Sequence, residues 1–218
     1  MILAAGRAER LRPLTDTTPK ALVEVHGQSL LERHLENFCK AGIKVVVINL
    51  GWLGERIVER VGSGSEYGLN VIYSDEGDNT LETGGGIYKA LRIFGSEPFL
   101  VVNADILTDM PVPKITLDDK ALGHLVLVPK PDYRAAGDFD LDNGLVQNGE
   151  TPALIYSGVA MYRREFFAAC EPGRFSIVPM MREAANAGRL QGSLYDGLWA
   201  DVGTPERLEA VLHNEKLE

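Results

Sequence analysis

The chain has 218 residues, enough for one domain with a well-buried core. Its 45% hydrophobic and 24% charged residues are ordinary for a globular protein and exclude a disordered chain. The net charge of −9 argues against a nucleic-acid partner, so an anionic ligand has to be held by a local cluster of cations.

The first predicted strand, Ile2–Ala5, is short for a central parallel strand. It empties into the most informative segment of the chain, Leu3-Ala4-Ala5-Gly6-Arg7-Ala8-Glu9-Arg10-Leu11-Arg12-Pro13-Leu14-Thr15, continued by Thr18-Pro19-Lys20. Backbone N–H groups and guanidinium donors at the carboxyl end of a strand suit a polyphosphate. Pro13 and Pro19 disfavour helix at the residues before them, which keeps the segment a loop. Two common phosphate loops do not match. A dinucleotide fingerprint needs G-x-G-x-x-G opening into a helix, and an ATPase-type loop needs Gly-Lys-Ser/Thr. Neither pattern is present here.

Ser29 and Glu32 form a capping box for a helix reaching about Ala41, with Leu31, Leu35, Phe38 and Cys39 on one face and Gly42 closing it. Lys44–Leu50 reads as a buried parallel strand. Leu53, Ile57, Val58 and Val61 predict a second helix, stopped by Gly62. Leu69–Tyr73 is a strand, Thr83–Phe94 a glycine-rich turn that becomes a helix, and Phe99–Asn103 a strand. That order predicts an α/β fold with a doubly wound, mostly parallel sheet. The second half changes character. His124–Val128, Phe139–Leu141, Leu145–Gln147 and Leu154–Tyr162 predict antiparallel lid strands, with a hairpin at Asp142-Asn143-Gly144. A closing helix over 205–216 is capped by Thr204, with Pro205 first. Cys39 and Cys170 form no metal or redox motif, and no membrane-spanning run occurs, so a reduced, cytoplasmic protein is expected.

Asp105 follows the apolar strand at its carboxyl end, where ligands bind in such sheets. Asp201 lies in Trp199-Ala200-Asp201-Val202-Gly203-Thr204. A lone aspartate at a strand end is ordinarily a cap, but each of these sits in a longer distinctive string. Asp109 reads as a turn cap, and Arg7 and Arg12 are as well explained by solvent as by phosphate.

The first loop resembles the signature of the sugar-1-phosphate nucleotidyltransferases, G-x-G-[ST]-R-[LM]-x-P-L-T followed by P-K. Ala8 stands for the second glycine and Glu9 for the usual Ser or Thr. Trp199–Thr204 resembles the family's W-x-D-[VI]-G-T. The resemblance implies a nucleotide-diphospho-sugar transferase-like, Rossmann-like fold in one domain, its nucleotide-binding half 1–105, its sugar-binding half and lid 106–204, and a closing helix 205–218. It implies Arg10 and Lys20 as catalytic residues, with Arg10 on the departing pyrophosphate and Lys20 on the α-phosphate or sugar phosphate. It implies Mg2+ on Asp105 and Asp201. The nucleotide would meet Leu3, Ala4, Ala5, Gly6, Arg7, Glu76, Glu82, Thr83 and Gly84, and the sugar Asn103, Asp138, Ser157 and Gly158. The hexapeptide repeats of longer bifunctional relatives do not occur in these residues.

Glu82-Thr83-Gly84-Gly85-Gly86, Ile48-Asn49-Leu50-Gly51-Trp52-Leu53 and Gly137-Asp138-Phe139 most resemble the branch that joins UTP to N-acetylmuramate 1-phosphate in peptidoglycan recycling. Guanylyltransferases acting on mannose 1-phosphate share much of this pattern. A non-catalytic nucleotide-sensing subunit would have lost Arg10, Lys20, Asp105 or Asp201, and all four are present. Arg134 is the candidate partner for a lactyl carboxylate, although a solvated loop arginine is the simpler reading of that residue. Expected partners are a nucleoside triphosphate and a sugar 1-phosphate, with neither nucleic acid nor membrane, in a monomer or small homo-oligomer.

Overall fold

Apolar runs alternating with amphipathic helices fold as expected in the computed structural model, which describes residues 1–77, 79–112 and 114–213. In chain order the first elements are β1 (Ile2–Leu3), β2 (Glu24–Val25), β3 (Gln28–Ser29), α1 (Leu30–Lys40), β4 (Val45–Leu50), α2 (Gly54–Val61) and β5 (Asn70–Asp75). Next come α3 (Glu82–Ala90), β6 (Phe99–Asn103), β7 (Ile106–Thr108), β8 (Gly123–Pro129), β9 (Asp140–Asp142) and β10 (Leu145–Gln147). The last are β11 (Leu154–Tyr162), α4 (Val178–Asn186), β12 (Leu190–Leu194), β13 (Trp199–Asp201) and α5 (Pro205–Leu212). The chain forms two compact units, one from Met1–Leu81, Asn103–Val112 and 198–213, the other from Glu82–Val102 and 114–197.

In the first unit β1, β4 and β5 pair in parallel, with Ile2 opposite Ile48 and Val45 opposite Asn70. In chain order α1 precedes β4 and α2 lies between β4 and β5, as α/β crossovers require. The capping box of α1 is complete. Ser29 Oγ accepts from Glu32 N–H at 3.2 Å, and Glu32 Oε2 accepts from Ser29 N–H at 3.0 Å. Leu31, Leu35 and Phe38 are buried, and Gly42, at φ +81°, turns the chain beyond the helix. In α2 the apolar face is narrower than expected: Ile57 and Val61 are buried, while Val58 is exposed. Glu32 reaches across to this layer, accepting from Arg60 Nε at 2.8 Å and Tyr67 Oη at 3.0 Å.

A two-stranded antiparallel ladder, β7 with β13, sets Asp201 opposite Ile106. Thr204 Oγ1 caps α5 through Arg207 N–H, and Pro205 opens it, as expected. Val211 of α5 is buried with Val25, Leu30, Leu107 and Val202, which fixes the helix against the ladder. The predicted helix extended to 216, and residues 214–216 lie outside the described residues.

In the second unit the strand order is β6-β11-β8-β12-β10-β9. The strands expected to be antiparallel are so: β11 pairs antiparallel with β6 and with β8, and β10 with β9. The hairpin turn has Asn143 at φ +49° and Gly144 at φ +78°, the pair of left-handed residues a two-residue turn requires. Between β8 and β10 lies β12, parallel to β8 and absent from the sequence reading, as was α4.

Candidate active site

The signature segment is three short 3-10 turns rather than an open loop: Glu9–Leu11, Leu14–Asp16 and Lys20–Leu22. Pro13 and Pro19 immediately precede the second and third turns. Ala8 sits at φ +49°, ψ +48°, a conformation glycine adopts freely and alanine does not. The glycine of the resembled signature thus has a backbone reason at this position. Ala8 adopts the same geometry with some strain.

The exit of β4 holds this segment in place. Ala4 N–H donates to Asn49 Oδ1 at 2.7 Å, and Asn49 Nδ2 donates to Glu76 Oε1 at 2.7 Å. The other Glu76 oxygen accepts from Leu81 N–H at 2.7 Å, and Glu76 is buried. Gly51 packs on Ala5 so closely that a Cβ there would lie 2.5 Å from Ala5 O. Trp52 Nε1 donates to Thr15 O at 2.9 Å, and the buried Thr15 donates to Ala8 O at 3.0 Å. Arg7 lies over the Trp52 ring at 4.4 Å, and Arg12 pairs with Asp16 at 3.0 Å. Leu3 is engaged through its carbonyl, which accepts from Ala104 N–H at 3.0 Å. Gly6 is exposed. Arg10, also exposed, has no side-chain hydrogen bond or ion pair among the described residues. Asn49 was not picked out from the sequence as a holding residue. The Asn49–Trp52 string was visible only as a branch marker.

Each of the two aspartates is paired with a cation. Lys20 Nζ lies 2.5 Å from Asp105 Oδ2, and its side chain is 12% exposed. Asp201 Oδ1 is bonded to Arg207 Nη1 from the first turn of α5. Val202 N–H donates to Asp105 O at 2.9 Å, so the two aspartates flank one end of the β7–β13 ladder. Arg207 was missed because it follows the W-x-D-[VI]-G-T string by three residues. Gly203 shows why small size matters there: a Cβ would lie 3.1 Å from Arg207 Nη1, 3.3 Å from Asp201 Oδ1 and 3.4 Å from Arg10 Nη2. Beneath Asp105, His34 is buried. Burial pushes its pKa down to about 4, against the Asp105 carboxylate and the backbone of Ile106 and Asn103, so the ring is neutral at pH 7. Asn103 closes β6, two residues before Asp105.

In the second unit the glycine run is part of α3, not a turn ahead of it. This corrects the turn expected at its start. The N–H of Gly84 and that of Gly85 donate to Phe175 O at 3.0 and 3.1 Å. A Cβ on Gly84 would lie 2.5 Å from the Phe175 ring, so the close backbone approach is to the chain itself. Glu82, at φ +59°, pairs with Arg174 at 3.0 Å, and Thr83 follows it in the same turn. Asp138 accepts from Arg134 Nη2 at 2.7 Å and from Tyr156 N–H at 3.1 Å. Ser157 and Gly158 lie where the β11–β8 register shifts between Tyr156 and Ala160. The buried Ser157 Oγ accepts from Val159 N–H, and Gly158 has φ +88°. Arg134, Asp138 and the Tyr156–Gly158 bulge therefore form one constellation.

These features can be set beside known proteins. Residues 1–216 match the nucleotidyl transferase family, and the chain belongs to it. Among its relatives is the N-acetylmuramate alpha-1-phosphate uridylyltransferase of Neisseria meningitidis, 44% identical across 96% of this chain and 94% of that one. The enzyme of the same name from Caulobacter vibrioides is 32% identical across 94% and 92%. A mannose-1-phosphate guanylyltransferase catalytic subunit beta from Danio rerio is more distant, at 27% across 94% of this chain and 61% of its own. In structure the chain resembles HddC from Yersinia pseudotuberculosis, with a TM-score of 0.79 and 23% identity over 100% and 98% of the two chains. The CTP:phosphocholine cytidylyltransferase of Streptococcus pneumoniae gives 0.76 and 21% over 97% and 96%. The fold is thus that of the nucleotidyltransferases.

Proposed function

We propose that the chain joins UTP to N-acetylmuramic acid 1-phosphate, releasing pyrophosphate, as a cytoplasmic step of peptidoglycan recycling. The observation that carries this reading is the 44% identity to the Neisseria uridylyltransferase over nearly the whole of both chains. A sugar phosphate oxygen attacks the α-phosphorus of the nucleotide and pyrophosphate leaves. Both reactants are anions, so positioning and charge neutralisation account for most of the rate. Arg10, with its side chain unpaired among the described residues, takes the departing pyrophosphate oxygens through its planar fork. Lys20 bears on the α-phosphate as a point charge. Asp105 and Asp201 fit a hard divalent cation, which takes one or two carboxylates and fills its remaining positions with phosphate and water. Bound there as Mg2+, it would neutralise phosphate charge as the α-phosphorus is attacked. In the chain itself these carboxylates meet Lys20 and Arg207 through one oxygen each, Oδ2 of Asp105 and Oδ1 of Asp201.

Glu76 is held by Asn49 and Leu81 through one bond to each oxygen, so it supports the loop while keeping lone pairs for a nucleotide contact. Leu3, Ala4, Ala5, Gly6 and Arg7 line the nucleotide, with Glu82 and Thr83 as further contacts. Asn103, Asp138, Ser157 and Gly158 serve the sugar, and Arg134 serves the lactyl carboxylate by exchanging out of its pair with Asp138.

The test is pyrophosphate release over a matrix of nucleoside triphosphates and sugar 1-phosphates, with and without chelator. UTP with N-acetylmuramic acid 1-phosphate should give the highest kcat/KM, and excess chelator should abolish turnover. A preference for GTP with mannose 1-phosphate overturns the substrate assignment. Full activity in chelator overturns the two-aspartate metal site. Asp105→Ala and Asp201→Ala should each lower kcat about 100-fold or more while leaving the fold intact.

A further inference from the structure

Between β8 and β9 the chain carries Lys130 and Arg134, and of these Arg134 alone has a part in the reaction described above. Both stems of this loop are pinned to residues 152–154, where β11 begins. Lys130 N–H donates to Ala153 O at 3.1 Å, Gly137 N–H to Pro152 O at 3.0 Å and Asp138 N–H to Leu154 O at 2.7 Å. The second stem fits so closely that a Cβ on Gly137 would lie 2.5 Å from Pro152 O. At the tip, Arg134 N–H donates to Pro131 O at 3.0 Å, closing a β-turn. Lys130 Nζ donates to Arg134 O at 2.8 Å and holds that turn from its other end.

Lys130 directs its charge at a backbone oxygen. It is half-buried and pairs with no carboxylate among the described residues, and Asp132 in the same turn is exposed and makes no ion pair with it. An ammonium partly removed from water and given a neutral carbonyl gains less than one given a carboxylate. What the arrangement secures is the place of Arg134. Lys130 holds its backbone, and Asp138 holds its guanidinium, Nη2 to Oδ1 at 2.7 Å. Asp138 is itself fixed, its other oxygen accepting from Tyr156 N–H at 3.1 Å. Arg134 commits Nη2 to this pair and keeps further N–H donors.

From this geometry we infer that Lys130 is a positioning residue for a carboxylate on the sugar substrate, acting through Arg134. The inference rests on the proposed substrate, whose lactyl group carries that carboxylate. Holding the Arg134 carbonyl fixes where the side chain leaves the turn. The guanidinium can then pass between Asp138 and a substrate carboxylate while the turn stays closed. A donor set in place beforehand avoids the entropy of ordering a loop on binding. A sugar without the negative charge gains nothing from this, so Lys130 serves selectivity rather than turnover.

Steady-state kinetics compare N-acetylmuramic acid 1-phosphate with its lactyl amide, the same sugar without the charge. The native chain should prefer the acid through a lower KM. Lys130→Met keeps the apolar stem and removes the donor. It should raise KM for the acid about tenfold, shrink the preference over the amide by the same factor, and leave kcat and the KM for UTP nearly unchanged. Lys130→Arg, which still carries a donor, should recover most of the loss. Because Lys130 acts through Arg134, Lys130→Met added to Arg134→Met should cost less than about twofold beyond Arg134→Met alone. Additive losses overturn the inference, as does an unchanged KM for the acid in Lys130→Met. A KM for UTP that rises in step marks a merely structural lysine and overturns it too. A native chain that turns over acid and amide equally well keeps the proposed reaction and loses the carboxylate subsite. A native chain that does not turn over the acid loses the proposed reaction itself.

Discussion

At the scale of single residues, the site separates groups that act on charge from groups that hold the actors still. Arg10→Ala and Lys20→Ala should each lower kcat about 100-fold with a smaller change in KM, because their charges serve the transition state more than the ground state. A loss confined to KM would make both simple binding residues. Asn49 belongs to the second group. Its amide joins Ala4 N–H to the Glu76 carboxylate, and all three are buried. Asn49→Ala leaves a buried N–H and a buried carboxylate oxygen without partners, at a cost of about 2 kcal/mol of stability. It also loosens the start of the signature loop, so kcat should fall about tenfold with nucleotide KM nearly unchanged. Thermal melts and steady-state kinetics on one preparation test both effects. Arg10, Lys20, Asp105 and Asp201 were legible because each sits in a string whose neighbours are also fixed. Asn49 and Arg207 were not, since their roles come from partners 45 residues before Asn49 and six before Arg207.

Among the elements, those written in local chemistry were legible and those made by tertiary pairing were not. The α1 capping box, the Asn143-Gly144 turn and the apolar run of β4 carry their own signals, and all three form where expected. By contrast α4 has no side-chain cap, β7 and β13 are three residues each, and β12 contains a glycine. Pairing with neighbouring strands makes these β elements, and no local pattern announces it. The glycines of α3 misled for a related reason, because the contact requiring Gly84 comes from Phe175, 91 residues away. The α1 cap offers a direct measurement. Ser29→Ala should cost about 1 kcal/mol, lowering Tm by about 2–4 °C. Glu32 gives the cap a pH signature. Burial pushes its carboxyl up, but hydrogen bonds from Arg60, Ser29 and Tyr67 outweigh burial and hold it at about 2, below its ordinary 4.5. The stability it contributes is therefore complete above pH 4.5 and is lost as pH falls towards 2. Glu32→Gln should be less stable than the native protein at pH 7, and the gap should close in that acid window.

For the whole molecule, acid sensitivity should begin well above the carboxylate range, and His34 is the reason. Lowering the pH from 7 first relieves the self-repulsion of a chain carrying a net charge of −9, which by itself favours the folded state. His34 works against that relief. Its ring is buried, and its folded pKa of about 4 lies below the ordinary 6.5. Between these two values the unfolded chain binds a proton that the folded chain does not. Stability attributable to His34 is therefore complete above pH 6.5, and falls with pH until about 4. The slope reaches at most about 1.4 kcal/mol per pH unit, the value for one proton. Charge relief is common to every variant with the same surface, so a comparison isolates the ring. His34→Gln should lose stability at pH 7, because the ring fills a buried position beneath Asp105. Its free energy of unfolding should nevertheless fall less steeply than that of the native protein between pH 6.5 and 4. Denaturant titrations at half-unit intervals of pH give the two slopes. Parallel slopes would mean that His34 is already protonated in the folded protein, and the cause of acid unfolding would then lie with the carboxylates alone.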